Sequence, residues 1–179
     1  MFGYCRYPTI YKDTLVFCAE DDLWSVSASG GVARRLTASL GAVSTPRFSP
    51  DGRFLAFSGR EEGAWEVYVM PSEGGAAKRL TYQGALAQVA DWSADGTQIF
   101  YSTDGAAAFP GAREIWSIAS KGGAPCVLPW GPASHSSTSP KGGLVLGRNT
   151  GDPARWKRYR GGRTGQFWID RDGAGAFER

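Results

Sequence analysis

Six cations crowd into one stretch of this 179-residue chain. Between Gly147 and Gly165 lie Arg148, Arg155, Lys157, Arg158, Arg160 and Arg163, against the single acid Asp152, with Trp156 and Tyr159 interleaved. A guanidinium fork matches a carboxylate, and an aromatic face can hold a peptide or a neighbouring guanidinium. Arg148, Arg155, Trp156, Arg158, Tyr159 and Arg160 are therefore candidates for a peptide-carboxylate or channel-lining site. The same residue types are enriched at protein interfaces, so a loop that docks on another domain or subunit is the competing reading. Nucleic acid is disfavoured, because 20 basic residues stand against 17 acidic ones, a net charge of only +3.

Other chemistry finds little support. A serine or cysteine nucleophile needs a base beside it. The one histidine, His135, sits among Ser134, Ser136 and Ser137, and neighbours on a strand point to opposite faces. There is no Gly-x-Ser-x-Gly elbow, so no catalytic residue is assigned. Cys5, Cys18 and Cys126 show no metal-ligand spacing, and Cys18 and Cys126 are expected as buried free thiols. Glu20-Asp21-Asp22 reads as a solvated turn rather than a calcium loop. Gly161-Gly162-Arg163-Thr164-Gly165 lacks the Gly-Lys-Ser/Thr ending of a phosphate loop. No metal or cofactor is expected.

The elements that must position these residues announce themselves as repeats. Ser49-Pro50-Asp51-Gly52 returns as Ser93-Ala94-Asp95-Gly96 and Ser139-Pro140-Lys141-Gly142. Gly30-Gly31 returns at Gly74-Gly75 and Gly122-Gly123, and Arg35-Leu36-Thr37 at Arg79-Leu80-Thr81, with Val127-Leu128 as a fainter echo. Leu23-Trp24, Val67-Tyr68, Ile115-Trp116 and Phe167-Trp168 keep the same phase, at steps of 44, 48 and 52 residues. Each marker has a mechanical reason. Proline and glycine shape a turn between two strands, Gly-Gly supports a hairpin, and basic residues suit an outermost strand. Arg53-Phe54-Leu55-Ala56-Phe57 is apolar on both faces, as in a strand packed between two sheets.

The expectation is an all-β chain, a β-propeller of about four four-stranded antiparallel blades over residues 8–37, 46–81, 89–128 and 135–179. The basic segment accounts for most of the fourth repeat's extra length, so it is read as an insertion between strands. Three cysteines fit a reducing compartment, no run approaches ~18 apolar residues, and Met1–Ile10 has no apolar signal core. A cytoplasmic, non-membrane protein is expected. The last repeat stops abruptly, so the chain is read as the leading part of a longer one.

The Phe48-Ser49-Pro50-Asp51-Gly52, Leu55-Ala56-Phe57, Gly74-Gly75 and Arg79-Leu80-Thr81 pattern resembles the repeat of TolB-like and tricorn-type propellers. Asp21-Asp22-Leu23-Trp24, Tyr101-Ser102-Thr103-Asp104 and the series Gly147-Arg148-Asn149-Thr150, Trp156-Lys157, Tyr159-Arg160-Gly161-Gly162, Phe167-Trp168-Ile169 narrow it. In order and spacing they are similar to the amino-terminal six-bladed propeller of the tricorn protease family. That resemblance implies a cytoplasmic serine peptidase that degrades oligopeptides downstream of the proteasome or an analogous protease. It implies a second propeller, a PDZ-like domain and a catalytic region outside this chain, and a hexameric assembly. Family members can carry an arginine pair in a third-blade loop that grips the substrate's carboxy terminus. Here the loop between Tyr82 and Asp91 reads Gln-Gly-Ala-Leu-Ala-Gln-Val-Ala, with no basic residue. A stand-alone TolB-like binding module and the propeller lid of a prolyl-oligopeptidase-type hydrolase are the alternatives.

Overall fold

Strand follows strand in the computed structural model, which describes residues 4–38, 41–107, 112–149 and 164–179. The first sheet contains β1 (Arg6–Tyr11), β2 (Thr14–Ala19), β3 (Asp22–Ser27) and β4 (Arg34–Arg35). The second contains β5 (Val43–Phe48), β6 (Phe54–Gly59), β7 (Glu66–Pro71) and β8 (Lys78–Arg79). The third has β9 (Ala87–Trp92), β10 (Gln98–Thr103), β11 (Glu114–Ala119) and β12 (Cys126–Pro132). The fourth has β13 (His135–Thr138), β14 (Leu144–Arg148) and β15 (Gln166–Asp170), with Glu178 bridging back to Ile169. Every pairing is antiparallel and sequential, and the innermost strands β1, β5, β9 and β13 lie side by side. The molecule is a β-propeller, and no helix among the described residues is long and apolar enough to cross a membrane.

Strand β6 shows why the apolar runs are continuous. Its side chains alternate between two cores: Leu55 and Phe57 join Val16, Leu23 and Met70 between the first and second blades. Ala56 joins Val89, Trp92 and Tyr101 between the second and third. A strand with a neighbour on each face has no wet side, so both faces are apolar. Burying a side chain such as Leu55 fully stabilises by about 2 kcal/mol.

The Ser-x-Asp-Gly turns are small hydrogen-bonded machines at one rim, here called the lower rim. The Ser49 hydroxyl donates to Asp51 Oδ1 at 2.6 Å and accepts from Phe54 N–H at 3.0 Å, while Arg53 N–H donates to the same Asp51 oxygen at 3.0 Å. Ser93, Asp95, Thr97 and Gln98 repeat that pattern. These bonds hold the Asp51 carboxyl at about 2, with the Ser49 hydroxyl the main cause and the Arg53 amide next. Gly52 must be glycine twice over: its φ is +74, and a Cβ there would stand 2.1 Å from the Tyr11 ring.

The Arg-Leu-Thr motif closes the first two blades differently from the expectation of a merely charged edge. Thr37 Oγ1 accepts from Leu23 N–H at 2.9 Å and donates to buried Asp22 at 2.8 Å, and Arg35 pairs with that carboxylate. Thr81 Oγ1 likewise accepts from Val67 N–H at 2.9 Å and donates to Glu66, which Arg79 meets at 3.2 Å. The arginine therefore neutralises an acid taken from the adjacent strand. This corrects the reading of Glu20-Asp21-Asp22 as wholly solvated. Glu20 and Asp21 form the turn, with φ of 48 and 66, but Asp22 is only 7% exposed. Outer-strand bases also reach the following blade: Arg34 donates to the Glu73 carbonyl at 2.9 Å and Lys78 to the Lys121 carbonyl at 2.6 Å.

Candidate functional site

The four inner strands converge on a cavity of about 310 Å³, whose lining includes Tyr7 from β1, Arg47 from β5, Gln88 from β9 and His135 from β13. Tyr7 and Gln88 also line a second cavity of about 250 Å³, which opens beside Arg6, Asp21 and Arg113. Both belong to the upper rim, opposite the Ser-x-Asp-Gly turns.

Bulges shape this wall. The β1 register breaks between Arg6 and Thr9, that of β5 between Ser44 and Arg47, and β9 has an extra residue opposite Phe100 and Tyr101. In β1 and β5 the bulge carries a residue at positive φ directly before a proline: Tyr7 at 51 and Thr45 at 47. Proline has no N–H to give a ladder, which is why it is tolerated at a bulge. A β-branched threonine at positive φ costs about 1–3 kcal/mol, and such strain concentrates where structure serves a ligand.

The open edges of the inner strands are sewn by side chains of neighbouring blades. Arg47 Nε donates to the Ala90 carbonyl at 3.1 Å and its NH1 to the Pro46 carbonyl at 3.0 Å. The Ser58 hydroxyl accepts from Val89 N–H at 2.9 Å, Asp91 accepts from Thr138 N–H at 2.7 Å, and Trp92 Nε1 donates to the Arg47 carbonyl at 3.0 Å. At the upper mouth Arg113 NH1 donates to the Gln88 side-chain oxygen at 3.1 Å. Burial, then the charges of Arg113 and Arg47, push the His135 imidazole below its ordinary value, so it is neutral near pH 7.

Of the candidate residues, Arg148 is placed and the others are not described. It ends β14, lies half-buried, donates to the Trp130 carbonyl at 2.8 Å and holds its guanidinium 4.7 Å above the Trp168 ring. Arg148 thus joins the third and fourth blades. Arg155, Trp156, Arg158, Tyr159 and Arg160 fall outside the described residues, within the segment that leaves after β14 and returns at β15. His135 opens β13 at the cavity wall, as the strand-start histidine expected.

The cysteines divide. Cys18 is buried, and burial pushes its thiol up to about 11, against the pull of Arg6. Cys126 is exposed, which corrects the expectation of a buried thiol: it starts the outermost strand β12, whose far edge meets water. Among the described residues no group of three or more His, Cys, Asp or Glu side chains could hold a metal ion.

Missed from sequence were Arg47, Gln88, Asp91 and Arg113. No marker in the sequence singled them out: Arg47, Gln88 and Asp91 lie within inner strands, and Arg113 just before β11.

Comparison with known proteins gives this geometry a family. A curated relative from Streptomyces coelicolor, tricorn protease homolog 1, is 41% identical over 99% of this chain and 17% of its own length. The tricorn protease of Thermoplasma acidophilum is 33% identical over 96% of the chain and again 17% of its own length. A putative tricorn-like protease N-terminal subunit from Sulfurisphaera tokodaii is 29% identical, and the chain covers 89% of it. The crystal structure of a tricorn protease superposes with a TM-score of 0.85 at 31% identity, over 99% of this chain and 18% of that one. The chain thus spans about a sixth of the full-length relatives. The family description "Tricorn protease N-terminal beta propeller domain" matches residues 2–179, and the chain belongs to that family.

Proposed function

We propose that this chain is the non-catalytic propeller part of a tricorn-like cytoplasmic serine peptidase that degrades oligopeptides downstream of the proteasome or an analogous protease. Its role is to gate or channel peptides along the propeller axis and to support assembly with other domains and copies, a hexamer by family likeness. The observation that carries this reading is the axial cavity where the four inner strands meet, which sets Arg47, Gln88 and His135 among apolar residues such as Val89, Val145 and Phe167. The serine nucleophile and its base belong to another part of the protein.

The test is the mass of the native polypeptide in its source cell, detected with an antibody to this segment, with peptide hydrolysis measured on the captured material. A band several-fold larger than 19.2 kDa that hydrolyses short peptides is expected. A band at 19.2 kDa with no hydrolysis, alone or in complex, overturns it.

One observation favours a second reading. The short Sulfurisphaera relative is nearly matched in length by this chain and carries the description of an N-terminal subunit. On that reading the propeller is a separate polypeptide that joins a peptidase partner. A 19.2 kDa band captured together with peptidase activity separates this from the first reading.

The basic segment is proposed to contact peptide carboxylates or a neighbouring domain through Arg148, Arg155, Trp156, Arg158, Tyr159 and Arg160. Arg158→Ala with Arg160→Ala should weaken peptide binding and leave assembly size unchanged. Loss of assembly with intact peptide binding overturns the peptide half of that reading.

A further inference from the structure

Charge is unevenly placed around the axis. The two upper cavities are lined by the guanidiniums of Arg6, Arg47 and Arg113, and by one carboxylate, Asp21, which lies 3.9 Å from Arg6. Arg47 spends its hydrogen bonds on backbone carbonyls, and Arg113 on the neutral amide of Gln88. Neither is ion-paired among the described residues. Asp91 lines a cavity on the lower side with Arg47, and its two oxygens accept from the amides of Trp92 and Thr138.

Half-buried guanidiniums with no ion-pair partner among the described residues raise the positive potential of the cavities they line. Burial first, then the charges of Arg113 and Arg47, lowers the basicity of His135 in the same wall. A cavity of this size admits a side chain or a short extended segment. Among the described residues, no carboxylate lines it.

We propose that the axial cavity, together with the upper cavity that shares Tyr7 and Gln88 with it, is a charge filter favouring peptides that carry aspartate or glutamate side chains, with Arg47 in the first and Arg113 in the second as the selecting cations and Gln88 as the residue that orients Arg113. The filter rests on the peptide-guiding reading above and names the class of peptide that this cavity takes. It differs from recognition of a peptide's end, because selection lies in side-chain charge along the segment. Gln88 accepts from Arg113 and leaves the guanidinium's other nitrogens for an incoming carboxylate.

The test uses the native full-length protein and two series of acetylated, amidated peptides that differ only in glutamate against glutamine. Binding is read by fluorescence anisotropy at low and at high salt. The glutamate series should bind about five- to tenfold tighter at low salt, a ratio that salt screens toward one. Arg113→Gln should collapse that ratio, Arg113→Lys should keep most of it, and Arg53→Gln on the lower rim should leave it alone. Equal binding of the two series, or a ratio untouched by Arg113→Gln, overturns the filter while peptide guidance stands. An equal fall in Arg53→Gln overturns it too, in favour of overall net charge. Binding that appears only when glutamine peptides carry a free α-carboxylate replaces the filter by end recognition. Binding of no peptide in any form removes the underlying peptide reading as well.

Discussion

The second and third blades share turns, register and a central core, yet they are fastened differently. In the second, Glu66 is 1% exposed and is held by Thr81 and Arg79. In the third the acid survives as Glu114, but Val127 and Pro129 stand where the arginine and threonine would be, and Glu114 is only partly buried. A faded repeat is therefore the loss of one particular hydrogen-bonded clamp. Where the clamp is missing, β12 runs longer, to Pro132, and closes the blade by backbone pairing instead.

Removing the acid from each blade should expose the contrast most sharply. Glu66→Ala leaves the Thr81 hydroxyl and the Gly84 amide without their acceptor and Arg79 with Glu62 alone, and is expected to destabilise by about 3 kcal/mol. Glu114→Ala should cost less than about 1 kcal/mol. Urea unfolding midpoints of the two variants check this, and equal losses would break the comparison.

A second contrast lies in the turns. Gly52→Ala drives a methyl into the Tyr11 ring and is expected to cost about 2 kcal/mol or more. Gly96→Ala meets only Pro50 at 3.4 Å, so about 1 kcal/mol for its positive φ is expected. Thermal unfolding of the pair measures the difference.

The fourth blade permits a gain rather than a loss. Its turn has Lys141 where the second has Asp51, and Ser139 Oγ accepts from Lys141 N–H at 3.2 Å. Lys141→Asp should restore the serine–carboxylate bond and add about 0.5 kcal/mol. A lower melting temperature would show that the turn has diverged in shape as well as in sequence.

The smallest effect is a titration. The Asp51 carboxyl titrates lower in the folded chain than in the unfolded one. Its contribution is thus full above the ordinary carboxylate value of about 4, and is lost as pH falls toward about 2. Carboxyl-carbon NMR should show a midpoint near 2 for Asp51. The Phe54 amide should move with it, while Gly142 in the fourth turn stays still.

The sheets were legible because their markers are local: proline, glycine and serine specify a turn over four or five residues. The clamp was half legible. Arg-Leu-Thr is conspicuous, but its acid lies 13 residues earlier, from Asp22 to Arg35 and from Glu66 to Arg79, and only the pairing of β3 with β4 and of β7 with β8 joins them. The axial groups were not legible at all. Arg47, Gln88, Asp91 and Arg113 each occur once, outside the repeated markers, and their partners sit on other strands or blades. Cys126 was misjudged because thiols favour interiors, whereas an outermost strand has water beyond it. The arginine-rich segment drew attention through composition, yet Arg148 shows that such a residue can be a rivet between blades.

The stitched inner edges have a consequence for anything moving past them. An unpaired strand edge is sticky, because each free carbonyl and amide invites an extended chain to add itself to the sheet. Here Arg47 already occupies the Ala90 carbonyl, Ser58 the Val89 amide and Asp91 the Thr138 amide. A peptide threading the axis would find fewer rungs to climb onto, and would be held by its side chains more than by its backbone.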